Sequence, residues 1–330
     1  MTHSVSLIDR IFNCADEKGF NSLANEVFLF QHKNNAVYRQ YCDLIHCKPE
    51  KITNFHQIPF LPIDFFRRFQ IKSFQGEAEV VFTSSGTTGA ATSSHFVADK
   101  SVYENSFKRA FKRFYGDVRD YCIVALLPSY LERTGSSLVY MATQLITESK
   151  HPDNGFYLYE FDQLHKKLLR LKEAGQKTLL LGVTYALLDF AADFPLDFPE
   201  LIVMETGGMK GKRKEMIREE VHEFLRSGFG VSKIHSEYGM TELLSQAYSK
   251  GDGIFETPPW MKILIRDTND PLSLIGDNKN GGINVIDLSN IYSCSFIATQ
   301  DLGKTIGNET FEVVGRFDQS QVRGCNLMVG

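Results

Sequence analysis

Val80-Val81-Phe82-Thr83-Ser84-Ser85-Gly86-Thr87-Thr88-Gly89 runs from an apolar strand into a turn built of hydroxyls and glycines. Glycine lets a backbone bend tightly and come close to a ligand. The N–H groups of such a turn, with its side-chain hydroxyls, make a donor-rich cradle for phosphate oxygens. The turn therefore points to a nucleotide enzyme. It is not the usual P-loop, because no Gly-Lys-Ser/Thr follows and the glycine spacing differs. The bland alternative is a Ser/Thr/Gly loop that binds nothing.

Outward from this turn the chain alternates strands and helices. Glu79–Phe82 is a strand, and Lys100–Tyr115 repeats Val102, Tyr103, Phe107, Ala110 and Phe111 at helical spacing. Cys122–Leu127 is a short continuous apolar run suited to a buried parallel strand. Glu160–Ala174 reads as a helix, and Thr178–Val183 and Leu201–Glu205 as strands. Gly207-Gly208 and a basic helix from about Lys210 come next; a basic run of this kind is more often a solvated helix face than a phosphate site. This alternation predicts an α/β domain with a mostly parallel sheet. Upstream, residues 1–50 read as helices. Ile58-Pro59-Phe60-Leu61-Pro62-Ile63 must be extended because of its two prolines, with a short helix from Asp64. Downstream, Met261–Arg266, Gly282–Leu288 and Ser295–Ala298 are short strand-like runs separated by Asp, Asn and Gly, which suggests a β-rich subdomain. The expected division is a helical N-terminal region over 1–78, an α/β core over 79–255 and a β-rich subdomain over 256–330.

Composition narrows the class. The chain has 330 residues, 43% hydrophobic and 23% charged, as a soluble globular protein does. Its 26 Phe residues are mostly core, though some could line an acyl-sized pocket. A formal net charge of −4 argues against a general nucleic-acid binder. Cys14, Cys42, Cys47, Cys122, Cys294 and Cys325 form no CxxC pair, so reduced thiols are expected. Residues 1–20 contain no signal-peptide core, and the longest apolar stretch, around Leu179–Leu188, is too short to span a bilayer. A cytoplasmic protein is the expectation.

Three more motifs follow the turn: Ser236-Glu237-Tyr238-Gly239-Met240-Thr241-Glu242, then Thr299-Gln300-Asp301-Leu302-Gly303, then Val314-Gly315-Arg316-Phe317-Asp318 leading into Arg323-Gly324-Cys325. Alone, Tyr238-Gly239 could be a plain turn, Thr241 and Glu242 a helix start, and Asp301-Leu302-Gly303 an ordinary turn signature. In this order and spacing the four motifs resemble the adenylate-forming enzymes: acyl-CoA ligases, luciferase-like enzymes and nonribosomal peptide adenylation domains. Ile58–Ile63 with Asp64-Phe65-Phe66, the turn Ser84–Gly89, Glu205-Thr206-Gly207-Gly208 and Arg323-Gly324-Cys325-Asn326 resemble the acyl-protein synthetase branch in particular. That branch is the fatty-acid-activating component of bioluminescence-type fatty acid reductases. Phenylacetate–CoA ligases are the next nearest resemblance.

The resemblance implies the large domain of the adenylate-forming fold, with ATP and Mg2+ as cofactors. Ser84, Ser85, Thr87 and Thr88 would hold the β- and γ-phosphates of ATP, with Gly86 and Gly89 giving close approach. Gly207 and Gly208 would wall the adenine and the acyl group, and Tyr238, followed by Gly239, would stack on adenine. Thr241 would hydrogen-bond the α-phosphate. Glu242 would bind Mg2+, a hard cation that prefers carboxylate and phosphate oxygen. Asp301 would accept both ribose hydroxyls, as a carboxylate can, and Arg316 would contact ribose or phosphate. The implied chemistry is activation of a carboxylic acid, in particular a fatty acid, to an acyl-adenylate. Cys325 would take the acyl group as a thioester and pass it to a partner thiol on a reductase or carrier protein. The null role for Cys325 is a small residue packed beneath the site. His95 and His235, each beside a motif, are undecided between structure and proton transfer.

Two features depart from the superfamily pattern. Ala90-Ala91-Thr92-Ser93-Ser94-His95 stands where relatives carry a Pro-Lys pair, so a lysine at the pyrophosphate is missing. The chain also stops at Gly330, where CoA ligases continue into a small C-terminal domain; the expectation is a protein without it. The enzymatic rival is an acyl- or aryl-CoA ligase whose small domain is absent or supplied elsewhere. The rival of another class is a non-catalytic nucleotide-binding subunit. Acyl length, final acceptor and homo-oligomerisation stay open.

Overall fold

Residues 6–84, 92–131, 134–207, 216–307 and 310–317 are described by a computed structural model of the chain. Three helices come first: α1 (Leu7–Phe12), α2 (Glu17–Asn34) and α3 (Ala36–Leu44). Side-chain oxygens of Ser6, Asp16 and Asn35 cap them by accepting the N–H groups of Asp9, Gly19 and Tyr38. The buried face of α2 carries Phe20, Leu23, Ala24, Val27 and Phe28, the spacing of one helical stripe. Gln31, on the same face, donates to the carbonyl oxygens of Asn290 and Ile291 at 3.0 and 2.9 Å. The helical region is thereby fastened to the far end of the chain. Pro59 and Pro62 keep the next segment extended; it contributes β1 (Leu61–Pro62), followed by α4 (Phe65–Arg68).

The hydroxyl and glycine turn connects β2 (Val80–Thr83) to β3 (Ser94–Val97), a separate antiparallel hairpin. After it come α5 (Lys100–Tyr115), β4 (Cys122–Leu126), α6 (Pro128–Leu131), α7 (Ser137–Ser149), β5 (Gly155–Tyr157) and α8 (Phe161–Glu173). The chain continues through β6 (Thr178–Val183), α9 (Thr184–Asp193), β7 (Ile202–Thr206), α10 (Arg218–Phe229) and β8 (His235–Tyr238). The expected basic helix start near Lys210 lies outside the described residues. Strands β5, β4, β6, β7 and β8 are neighbours in that order and all parallel. Every residue of β4 and β6 is buried, as continuous apolar strands inside a parallel sheet should be.

The same sheet continues without a break into an antiparallel half: β9 (Ala247–Ser249), β10 (Ile254–Glu256), β11 (Met261–Arg266), β12 (Leu274–Ile275), β13 (Gly281–Asp287), β14 (Phe296–Ile306) and β15 (Thr310–Arg316). Strand β14 organises this half. Along one edge it pairs with β13; along the other it takes β1 at Ile297 and Ala298, then β15 from Asp301 to Ile306. Asp301-Leu302-Gly303 is therefore the middle of a strand, not a turn. A register shift falls at Leu302/Gly303, and a Cβ on Gly303 would lie 2.2 Å from the Glu312 carbonyl oxygen. The glycine is there for close backbone approach within the ladder. Among the described residues, no helix is long and apolar enough to cross a membrane.

Candidate active site

The neck of the β2–β3 hairpin is closed by two hydrogen bonds. Ser84 N–H donates to the Ser93 carbonyl oxygen at 3.0 Å, and Ser93 N–H donates to Ser84 Oγ at 2.9 Å. Just before it, Thr83 N–H donates to the Gly135 carbonyl oxygen at 2.8 Å. Gly135 has φ +79°, and a Cβ there would sit 2.8 Å from Thr83 Oγ1. Ser84 is thus fixed at the base of the turn, while Ser85, Gly86, Thr87, Thr88 and Gly89 lie outside the described residues.

Past the turn, His95 ties the hairpin to the second motif. Its Nδ1 is 2.8 Å from the Thr241 carbonyl oxygen and its Nε2 is 2.9 Å from Asn290 Oδ1. Asn290 in turn donates its amide to the carbonyl oxygens of Glu242 and Cys294, at 2.8 and 2.9 Å. Full burial lowers the His95 pKa to about 4, so the ring is neutral at ordinary pH. Thr241 and Glu242 are therefore held through their backbones, leaving their side chains for other contacts. The Glu242 carboxyl is buried, which raises its pKa, and the Ser93 hydroxyl moderates the rise.

The next residues are pinned by Asp287, a fully buried carboxylate. One of its oxygens accepts the N–H groups of Leu244 and Ser245 at 2.8 and 2.9 Å; the other accepts the hydroxyls of Ser245 and Ser289, both at 2.6 Å. Burial raises its pKa, and these donors oppose the rise. A buried carboxylate this well supplied with donors is a rigid post rather than a strained charge.

Tyr238, Asp301 and Arg316 meet. Tyr238 Oη donates to Asp301 Oδ2 at 2.8 Å across 63 residues of sequence, and Arg316 Nε lies 3.1 Å from Asp301 Oδ1. Asp301 and Arg316 are register partners across β14 and β15. The Tyr238 ring is buried, edge-on to Phe255 and Phe311. The Arg316 side chain is largely exposed. Behind Asp301, Arg266 is buried and donates to Ile283 O at 2.7 Å, Asn284 Oδ1 at 2.9 Å and Thr299 O. Gly282 leaves it room, because a Cβ there would meet the guanidinium carbon at 2.5 Å. Burial lowers the Arg266 pKa, and the nearby Asp301 carboxylate opposes that.

A pair of buried acids underlies the ends of β7 and β8. Burial raises Glu205, but the His222 imidazole, 3.7 Å away, and a hydrogen bond from the Thr184 hydroxyl at 2.7 Å outweigh it and hold the carboxyl below its ordinary range. Burial and the neighbouring Glu205 push Glu237 up to about 7, against a hydrogen bond from Thr206. Gly239 has no space for a side chain, since a Cβ would lie 2.3 Å from Glu237 Oε1. Gly207 has φ +74°, where glycine is favoured. Gly208 and Cys325 lie outside the described residues.

Tyr238, Gly239, Thr241, Glu242 and Arg316 thus stand at strand ends and adjoining loops, where open α/β sheets bind ligands, with Asp301 reaching them from within β14. His95, Asn290, Asp287 and Arg266 are supports outside the motifs, and Glu237 is one inside a motif to which the sequence assigned no role. His95 adjoined a motif but showed no partner in sequence. Asp287 and Asn290 sit in Asp287-Leu288-Ser289-Asn290, which has no glycine and resembles no site.

This architecture is that of the adenylate-forming ligases. The chain is similar to 2-hydroxyisobutyryl-CoA ligase, solved in an open conformation with 2-HIB-AMP and CoA: TM-score 0.67, 13% identity, covering 92% of this chain and 70% of that one. It is also similar to ATP-bound MatB from Rhodopseudomonas palustris: TM-score 0.55, 15% identity, covering 73% of this chain and 49% of that one. This chain therefore matches about half the length of the MatB chain. At such identities the likeness is one of fold. No curated protein sequence matches the chain. The model of the acyl-protein synthetase family, LuxE, matches residues 13–330, and the chain belongs to that family. Family and fold together support acyl-adenylate formation and acyl transfer as the general chemistry, that of an AMP-forming acid–thiol ligase that uses ATP.

Proposed function

We propose that the protein activates a fatty acid with ATP and transfers the acyl group to a protein thiol, first Cys325 and then a partner reductase or carrier protein. The observation that carries this reading is the meeting of Tyr238, Asp301 and Arg316, two motifs far apart in sequence joined at one carboxylate. Each Asp301 oxygen has one protein donor and can accept more. Ribose hydroxyls fit that spare capacity, with Arg316 free to swing from Asp301 toward the phosphates. The wall at Gly207, Gly208, Tyr238 and Gly239 takes the adenine, with the Tyr238 ring as its aromatic face. Ser84, Ser85, Gly86, Thr87, Thr88 and Gly89 clasp the β- and γ-phosphates, on a neck that the Ser84–Ser93 hydrogen bonds hold closed.

In the first step a carboxylate oxygen of the acid attacks the α-phosphorus. The bond from that phosphorus to the bridging oxygen breaks, and pyrophosphate leaves. Thr241 donates to the α-phosphate as negative charge builds, a donor aimed beforehand by its anchored backbone. In the second step the Cys325 sulfur attacks the acyl carbonyl, AMP leaves, and the thiol proton passes to solvent. The activation matters because a free carboxylate has no leaving group better than oxide.

Among the described residues, no cluster of three or more His, Cys, Asp or Glu side chains could by itself hold a metal. Mg2+ does not require one, since it is commonly bound by one or two carboxylates plus substrate phosphates. Glu242 fits: its buried carboxyl has a raised pKa, and a cation beside it would favour the charged form. The ion would supply charge neutralisation at the phosphates.

The test is incubation with radiolabelled fatty acid and ATP. Label should appear on the protein, be released by neutral hydroxylamine as a thioester is, and be lost in Cys325→Ser. Label that persists in Cys325→Ser would remove the carrier role and leave adenylation standing.

A further inference from the structure

A groove of about 470 Å³ lies between the segment after α3 and the β11–β12 edge; it takes Ile58, Pro59 and Phe60 from the proline-punctuated segment and no residue of the nucleotide motifs. Its volume is that of a small-molecule pocket. Ile45, Ile52, Ile58 and Phe60 form one apolar wall, and Leu272 and Leu274 form the other. Leu272 is 63% exposed, an apolar side chain left uncovered among the described residues. The charged lining is one-sided: the cations Lys48 and Lys51 are present, with the imidazoles of His46 and His56 beside them, and no Asp or Glu is. The nearby carboxylates Asp43 and Glu50 act on Cys47 but do not line the groove.

The backbone turns His46 into this space at a conformational cost. Helix α3 ends at Leu44 with Ile45 as its C-cap, and His46 has φ +57°. Cys47 N–H donates to the Cys42 carbonyl oxygen at 2.9 Å and His46 N–H to that of Asp43 at 3.0 Å. These are the two hydrogen bonds of a left-handed helix cap, whose left-handed position is usually glycine. Here a histidine takes that position and its ring lines the groove. A residue held in a costly conformation beside a pocket is a recognised mark of a functional site.

We propose that this groove binds a free long-chain carboxylate as a second site, outside the catalytic one. The aliphatic chain lies between the isoleucine and leucine walls. The carboxylate sits at the mouth, where Lys48 and Lys51 can lay their stems along the apolar wall and keep their ammonium groups at the solvent edge. An uncharged chain of the same length lacks the partner for those cations, and the one-sided lining gives no cation a place. The site does not depend on adenylation, since it shares no residue with the nucleotide motifs.

The test is photolabelling of the full chain, without ATP, by a diazirine analogue of myristic acid, followed by peptide mapping. Labelling should fall within residues 45–60 or 271–274, be displaced by laurate, and drop at least fivefold in Lys48→Glu/Lys51→Glu and in Leu272→Glu. ATP–pyrophosphate exchange by these variants should stay at the wild-type rate, which keeps failure here separate from failure of the adenylation reading. Label found only elsewhere would overturn the proposal. So would unchanged labelling in the variants, equal labelling by the diazirine alcohol, or binding to phosphatidylglycerol vesicles without binding of monomeric laurate.

Discussion

His95 Nδ1 lies 2.8 Å from the carbonyl oxygen of Thr241, across 146 residues of chain. That contact joins the strand leaving the phosphate turn to the loop that carries Thr241 and Glu242. Asn290 completes the link by meeting the other ring nitrogen and donating to the Glu242 carbonyl oxygen. The distance between the turn and Thr241, the proposed α-phosphate donor, is thus tied by one imidazole and one amide. His95→Ala should therefore lower the pyrophosphate exchange rate by about tenfold. It should also cost about 1–3 kcal/mol of stability in urea denaturation, because the neutral ring's one N–H donor to a buried acceptor is lost. An exchange rate within twofold of wild type would show that the link does not position the site.

Asp301 receives Tyr238 on one oxygen and Arg316 on the other. Replacing it by Ala removes the proposed ribose acceptor and the carboxylate that the buried Tyr238 hydroxyl donates to. The KM for ATP should rise by more than tenfold, equivalent to at least ~1.4 kcal/mol of lost nucleotide binding. The KM for the fatty acid should move much less. Initial-rate kinetics with each substrate varied in turn separates the two.

Glu237 has its pKa pushed from an ordinary 4.5 up to about 7 in the folded chain. The folded state binds this proton more tightly than the unfolded state. The resulting stability is complete below about pH 4.5 and is lost as pH rises through about 7. The shift corresponds to roughly 3 kcal/mol across that window. Glu237→Gln should flatten the fall in melting temperature between pH 5 and pH 8 and gain stability relative to wild type at pH 8. Parallel melting curves for the two proteins across that range would contradict this.

Gly303 sits inside β14, where a Cβ would press on the backbone oxygen of Glu312. Gly303→Ala must shift a ladder strand two residues from Asp301. It should destabilise by about 1–3 kcal/mol and raise the KM for ATP. Thermal denaturation with nucleotide titration would register both.

Much of the fold was legible because its signals are local. Lys100–Tyr115 and Thr178–Val183 fall where periodicity and an unbroken apolar run put them. The prolines at 59 and 62 keep their segment extended as their chemistry requires. Asp301-Leu302-Gly303 could pass for a turn because its residues suit one. Its place inside a strand depends on Glu312 passing close to Gly303, a contact no local pattern carries. The site shows the same division. Tyr238, Thr241, Glu242, Asp301 and Arg316 were visible because they sit in glycine-punctuated motifs. Asn290, Asp287 and Arg266 were not, and His95 stood undecided, since each acts through partners that only the folded chain brings near.

The central claim is that this chain forms an acyl-adenylate, and ATP–pyrophosphate exchange on the purified protein tests it most directly. Fatty acids should stimulate exchange of labelled pyrophosphate into ATP, and Glu242→Gln should reduce it at least a hundredfold, or ~2.7 kcal/mol. Absence of exchange with every fatty and aryl acid supplied, in a protein that still binds ATP, would contradict the account.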